Sequence, residues 1–293
     1  MSYWAYVLTI ACIYGGLATS LNLVTGYAGI LSVCHAAFFG IGAYASALLM
    51  LKAGWPWLAT VPVGIGLVVL PALLVGSMAL RLKSDYLIVA TFAVQVVATR
   101  IMQSWSSVTQ GELGVSGIPP ARVGAFVVNT PAESLLLAIL ASSLLLFVSW
   151  RLVKSPFGRL LRGIREDEPF VSAAGKPVGA TKLRIFVIGA AMASVSGAVY
   201  APAVGHIAPA SFQVMESVFV LALIIIGGAG TFWGPLAGAV TLVGFQAILR
   251  FAGLSPEVAA NVRQIAYGVL LVALMVWRPE GLFSPYRLAR RKA

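Results

Sequence analysis

Charged side chains are scarce in this chain. Only 10% of its 293 residues are charged, nine acids stand against twenty bases, and the mean hydropathy is +0.95. A water-soluble domain carries about a quarter charged residues, so that class is excluded and lipid is the solvent for most of the surface. Cysteine and histidine are nearly missing as well. Cys12 and Cys34 lie in apolar stretches without metal or redox spacing, and His35 and His206 fit no zinc-ligand pattern. No metal is implied, and the cysteines read as small buried hydrophobes. Two catalytic signatures are absent. Without G-x-x-x-x-G-K-[ST] the chain binds no ATP through a P-loop of its own, and without H-E-x-x-H it has no zinc-protease centre. Nor do apolar and polar residues alternate as in a membrane β-barrel: Leu135–Val148 and Val218–Ile226 are continuously apolar.

What is there is an all-α, polytopic helical bundle. Apolar stretches of about 17–25 residues, punctuated by Pro, Gly or polar residues, predict about nine spans (8–10). They cover residues 3–21, 28–51, 56–80, 85–103, 132–150, 183–204, 215–229, 233–252 and 262–277. The first twenty residues carry no Lys or Arg and read as a retained span, not a cleaved signal. The stretch 215–229 is short and runs into Gly227, Gly228 and Gly230, as for a helix stopping within the membrane. The chain reads as one transmembrane domain, 1–293, with a polar loop at 151–184 and a basic tail at 278–293.

The net charge of +11 is topological. Fifteen of the twenty Lys and Arg fall in three segments: eight from Arg151 to Arg184, five from Arg278 to Lys292, and Arg81 with Lys83. An even number of predicted spans separates each segment from the next, so all three lie on one side, the cytoplasmic side by the positive-inside rule. Nucleic acid is not implied. Ser104–Thr130, Gly205–Val214 and Gly253–Asn261 then lie outside, as does the N-terminus, while the C-terminus is cytoplasmic.

Within 151–184 a short helix is expected outside the membrane. Glu166, Asp167 and Glu168 before Pro169 suit a helix start, and Gly175 with Pro177 beyond suits a stop. Its Ala173 and Ala174 permit close approach of a partner. The alternative is a solvated connector whose basic residues, among them Arg165, anchor lipid headgroups.

This loop resembles the coupling segment of bacterial ABC importer permeases, and specifically that of the branched-chain amino acid permease family. The resemblance extends over nearly the whole chain through further ordered motifs. They are Gly26-Tyr27-Ala28-Gly29-Ile30-Leu31-Ser32 running into His35–Tyr44, Leu80–Tyr86, Gly114–Pro119, Gly227–Pro235 and Arg278–Leu282. Ser155–Glu168 and Asp85-Tyr86 look like the M-type permease more than the H-type. Departures are Val33-Cys34, where the family usually has Leu-Gly, and Lys176-Pro177 after the Ala-Ala pair. The resemblance implies a permease subunit in the bacterial inner membrane. Its partners would be a homologous H-type permease, two cytoplasmic ATPases that use the ATP, an external solute-binding protein and membrane lipid. No cofactor of its own is implied. Branched-chain amino acids lead as solute, with urea, short amides and small organic acids as alternatives within the family.

Polar and glycine residues that line a path through the membrane are sought where helices break. Asn22, Thr25, Gly26, Tyr27, Gly29, Ser32 and His35 cluster this way. If residues 26–51 form a helix interrupted near Ser32, Ser32 and His35 fall one turn apart on one side. Lining a pathway and bonding across a helix interface both remain open for these two, and packing is favoured for the glycines. Gly227–Pro235 reads as a tight turn. Gln95, Gln103 and Gln246 are expected in interhelical hydrogen bonds.

Two rival classes are weaker. An ion-coupled carrier needs ionisable residues at membrane depth, and Asp85 and Glu216 sit at span edges with none at a span centre. That leaves a passive channel, or a secondary transporter with a sodium site built from backbone carbonyls, as the transport alternatives. An intramembrane serine protease finds a short match in Gly114-Val115-Ser116-Gly117 with His206 as base, but Ser116 lies in a polar external stretch beside Pro119-Pro120.

Overall fold

The computed structural model describes residues 2–79, 84–124 and 126–250. Helix α1 (Ser2–Leu21) continues as a π-helical turn over Asn22–Tyr27, and α2 is His35–Ala53. Next come α3 (Trp57–Ala79), α4 (Ser84–Ser104) and the short α5 (Ser106–Thr109). Strands β1 (Val115–Ser116), β2 (Arg122–Val123) and β3 (Phe126–Val127) precede α6 (Pro131–Lys154). Then follow α7 (Pro156–Glu166), α8 (Glu168–Ala173), α9 (Val178–Val204) and β4 (His206–Ile207). A 3-10 turn, Pro209–Phe212, leads to α10 (Val214–Gly227) and α11 (Gly234–Arg250).

Among the described residues six helices are long and apolar enough to cross a membrane, and α10 and α11 are apolar but shorter. The ninth predicted span, 262–277, lies outside the described residues, as do Arg81, Lys83, the 253–261 loop, the Arg278–Leu282 motif and the 278–293 tail. At 14 residues α10 is about 21 Å long, short of a bilayer's ~30 Å hydrocarbon core.

The core is a seam between α2 and α9, with α1 and α3 flanking it. Small residues set its closeness: a Cβ on Gly42 would fall on the Ser194 backbone, and one on Gly197 on the Phe39 carbonyl. By contrast α3, α4 and α6 turn Leu70, Leu74, Val89, Leu140 and Phe147 outward, as a lipid-facing surface requires.

One expectation is corrected. Residues 28–51 are not one helix, and Ser32 is not on a helix with His35. The π turn ends at Tyr27, Gly29 takes φ +71, and the chain runs non-helically to Cys34 before α2 begins. Gly29 and Ser32 point to an interruption, but its extent, Ala28–Cys34, is hidden because the segment is otherwise as apolar and small-residued as a span. Its backbone partners come from elsewhere: Ile30 N–H reaches Val24 O at 3.0 Å, and Val33 N–H donates to Thr91 Oγ1 at 3.2 Å.

The segments expected on one face do meet. In an antiparallel ladder Val115 pairs with Ile207 and Ser116 with His206, joining 104–130 to 205–214. We call this the sheet end, and the opposite side, with α7 and α8, the elbow end.

Candidate functional site

Two helix starts are buried side by side. The N–H of Ala36 donates to Ser217 Oγ (3.0 Å) and that of Ala37 to Gln95 Oε1 (2.8 Å), so the first turn of α2 is capped by side chains from α10 and α4. Gln95 also accepts from Ser217 Oγ at 3.2 Å and donates through Nε2 to Phe212 O at 2.7 Å, which is the interhelical bonding expected of it. Thr99 donates to the same carbonyl at 3.3 Å. Thr91, Gln95 and Thr99 thus form a stripe at four-residue spacing that binds both the chain break before α2 and the start of α10. Sequence reading had Gln95 but not the stripe; the i, i+4, i+8 polar spacing in an apolar helix was its signal. Gln103 differs from expectation, accepting only from Arg100 on its own helix among the described residues.

Ser32 and His35 both sit in this buried region. Ser32 Oγ lies 3.3 Å from Cys34 Sγ, and His35, fully buried at the head of α2, has no hydrogen-bond partner on either ring nitrogen among the described residues. Gly189 of α9 lets Val24 of the π turn approach: a Cβ there would stand 2.5 Å from Val24 Cγ2.

The other candidates gather at the elbow end, and there the two sets expected separately become one. Asn22 is a clamp in the π turn, donating to Thr231 O (2.8 Å) and accepting from Gly230 N–H (2.8 Å). Arg165, at the end of α7, donates to Gly26 O, and its guanidinium also lies where a Cβ on Gly230 would be. Gly29 receives the stem of Arg165, with Cγ 3.1 Å from a Cβ position. Gly227–Pro235 is therefore more than the tight turn read from sequence. Gly230 and the Thr231 carbonyl make the receptacle for Asn22 and Arg165.

The expected single helix in 151–184 is two. Ser155 caps α7 through Gly158 N–H, with Pro156 in the first turn, and Asp167 breaks α7 from α8 by capping the latter through Phe170 N–H at 2.9 Å. The stop was read correctly: the helix ends at Ala173, and Gly175 has φ +71. Glu166, Asp167, Glu168, Ala173, Ala174 and Gly175 are all exposed, and so is Phe170 at 71%, an aromatic the sequence reading passed over. Glu168 pairs with Lys182 of α9 at 2.5 Å, fixing the elbow to the bundle from its other side.

Glu216, placed at a span edge by the sequence, does stand in the first turn of α10 and is half-buried. It accepts a hydrogen bond from the Tyr14 hydroxyl. Tyr14 stands beside the midpoint of the 25-residue apolar helix Tyr3–Tyr27, so an acid at the edge of α10 reaches the middle stretch of α1. The reason is that the chain after β4 dips inward: Phe212 is fully buried and packs on Phe39 at 5.5 Å, and α10 starts from that level.

At the sheet end, Ser116 Oγ and His206 Nδ1 are 2.8 Å apart. The pairing is a cross-strand contact between exposed residues, and among the described residues no carboxylate bonds His206, so the orienting third group of a hydrolytic triad is missing.

The family described as branched-chain amino acid transport system, permease component, matches residues 3–276. The high-affinity branched-chain amino acid transport system permease protein LivM of Escherichia coli (strain K12) is 30% identical, over 96% of this chain and 70% of that protein. The probable LivM of Methanocaldococcus jannaschii is 27% identical over 92% of this chain and 90% of its own length. The permease protein LivH of Escherichia coli (strain K12) is 26% identical over 94% and 93%. No solved structure matches.

Proposed function

The chain belongs to the branched-chain amino acid transport permease family, and on that premise we propose that it is the M-type membrane subunit of an ATP-driven importer for branched-chain amino acids. The observation that carries the reading is the match of residues 3–276 to the permease family. The exposed α7–α8 elbow, fastened to the bundle by Arg165, supports how it would work.

The proposed complex holds this chain, an H-type permease, two cytoplasmic ATPases and an external binding protein, in a bacterial inner membrane. The elbow end faces the cytoplasm together with the basic tail, and the N-terminus lies outside. Helices α10 and α11 would complete an eight-helix set that residues 262–277 bring to nine, within a single domain. Hydrolysis of ATP falls to the partners.

In this reading the binding protein delivers solute at the sheet end, near Ser104–Thr130 and Gly205–Val214, beside a groove of about 400 Å³ lined by Tyr6, Ile118, Asn129, Thr130 and Pro202. ATP-driven closure moves α8, whose Ala173, Ala174 and Gly175 leave room for a partner and whose Phe170 supplies an anchor. Arg165 passes the displacement to Gly26 and Gly230. Asn22, Gly26, Tyr27, Gly29, Ser32 and His35 lie along the part of the bundle that would shift between outward-open and inward-open states.

The test is co-purification with the neighbouring transport proteins, followed by ATPase and uptake assays in proteoliposomes. Leucine, isoleucine or valine should stimulate hydrolysis, and removal of Arg165–Gly175 should abolish uptake while the chain still inserts. Undiminished uptake without that segment would sink the coupling role.

A further inference from the structure

Glu216 is the titratable group that the coupling reading leaves unused. A carboxylate half-buried among apolar helices is costly and is retained where it holds a cation, a proton or a ligand. Among the described residues Glu216 has one donor, Tyr14, and no cationic partner.

A structural explanation would be a helix cap, since Glu216 stands in the first turn of α10. Glu133 occupies the corresponding place in α6 and does cap, accepting from Thr130 N–H at 3.0 Å while Thr130 Oγ1 accepts from Glu133 N–H at 3.3 Å. Glu216 makes no such return contact with Gln213, and its carboxylate reaches across to α1 instead.

Rings surround it. Tyr14 lies 5.4 Å from Phe219 and 6.2 Å from Phe39; Phe39 lies 5.1 Å from Tyr200, which is 6.2 Å from Phe212. Phe39 and Phe212 are fully buried, whereas Tyr14, Tyr200 and Glu216 keep part of their surface. The apolar rings are thus the floor of the cluster and the polar groups its rim. A carboxylate among aromatic faces suits an ammonium group: one full charge, N–H donors for the free carboxylate lone pairs, and π faces that attract a cation.

We infer that Glu216, held by Tyr14 and backed by this aromatic cluster, is the point at which the membrane bundle recognises a primary ammonium group on its solute. The inference rests on the importer reading and deepens it: the solute is selected as an amine with an apolar side chain, against uncharged amides and plain carboxylates.

The experiment uses the assembled permease–ATPase complex in nanodiscs without binding protein. Bound radiolabelled leucine is challenged with isopentylamine, isovalerate or urea. The amine should compete at least about tenfold better than isovalerate or urea, and Glu216→Gln should weaken leucine binding by about tenfold while Glu216→Asp recovers part of it. Equal competition by isovalerate, or leucine binding within about twofold of wild type in Glu216→Gln, overturns the inference. If that variant fails to fold, the wild-type competition series and Tyr14→Phe decide. A wild-type complex whose ATPase ignores the loaded binding protein overturns the importer reading itself, a result separate from the order of competitors.

Discussion

Arg165 and Glu216 each carry a charge into the bundle, at opposite levels and on opposite terms. The Arg165 guanidinium enters at the elbow end, where the carbonyl of Gly26 at the close of α1 supplies the partial negative charge of a helix C-terminus, and glycines leave the space. Its partner is fixed backbone. Glu216 sits in the first turn of α10 with one neutral hydroxyl, from Tyr14 of α1, as donor. A charge met by backbone fastens structure, while a charge met by a lone neutral donor retains the capacity to bind something else.

The largest effect should come from filling the elbow-end receptacle. Gly26→Val places carbon within 2.5 Å of Gly230 N and should cost about 3 kcal/mol or more, read as loss of monodisperse protein or a sharply lower Tm in detergent. Asn22→Leu keeps the volume but strands Gly230 N–H and Thr231 O, for about 2–3 kcal/mol. Arg165→Ala should be gentler on stability, about 1 kcal/mol, because much of the side chain already meets solvent. Its signature is functional: ATP hydrolysis continues while uptake falls, in the assay that measures both together. Smallest in stability is Glu216→Gln, which replaces a half-buried carboxyl by an amide whose oxygen can still accept from Tyr14, and should leave Tm unchanged or slightly raised. A marked drop in Tm there would make Glu216 a structural group like Arg165 and erase the contrast.

Much of the architecture was legible. Long apolar runs gave α1, α3, α4, α6 and α9 to within about five residues, and Gly175 gave the stop after α8; the caps Thr130-Pro131 with Glu133 at α6 and Ser155-Pro156 at α7 are as local but were not singled out. These signals act between neighbours in the chain. The break at Ala28–Cys34 has a local hint in Gly29 and Ser32, but its length does not show, since its backbone is satisfied by Val24 and the distant Thr91. Candidate residues fared likewise. Asn22, Gly26, Gly29 and Arg165 were singled out, but that they form one cluster with Gly230 depends on contacts distant in sequence. Glu216 was placed at a span edge, which the first turn of α10 bears out, but its bond to Tyr14 of α1 joins residues far apart in sequence. Ser116 and His206 were set apart by a polar context, yet a two-residue ladder places them together.

That ladder has a consequence for how the chain is made. Val115 of β1 finds Ile207 only after α6, α7, α8 and α9 have been synthesised and α9 has reached the far side of the membrane. Until then β1 waits with its edge unpaired, and Gly114, whose φ of +72 fits it against the Ile207 carbonyl, has nothing to pack on. The sheet end is therefore a late closure. Its pairing certifies that the intervening helices were threaded in the correct order and number, so a skipped or inverted helix leaves β1 and β4 on different sides with no means of joining.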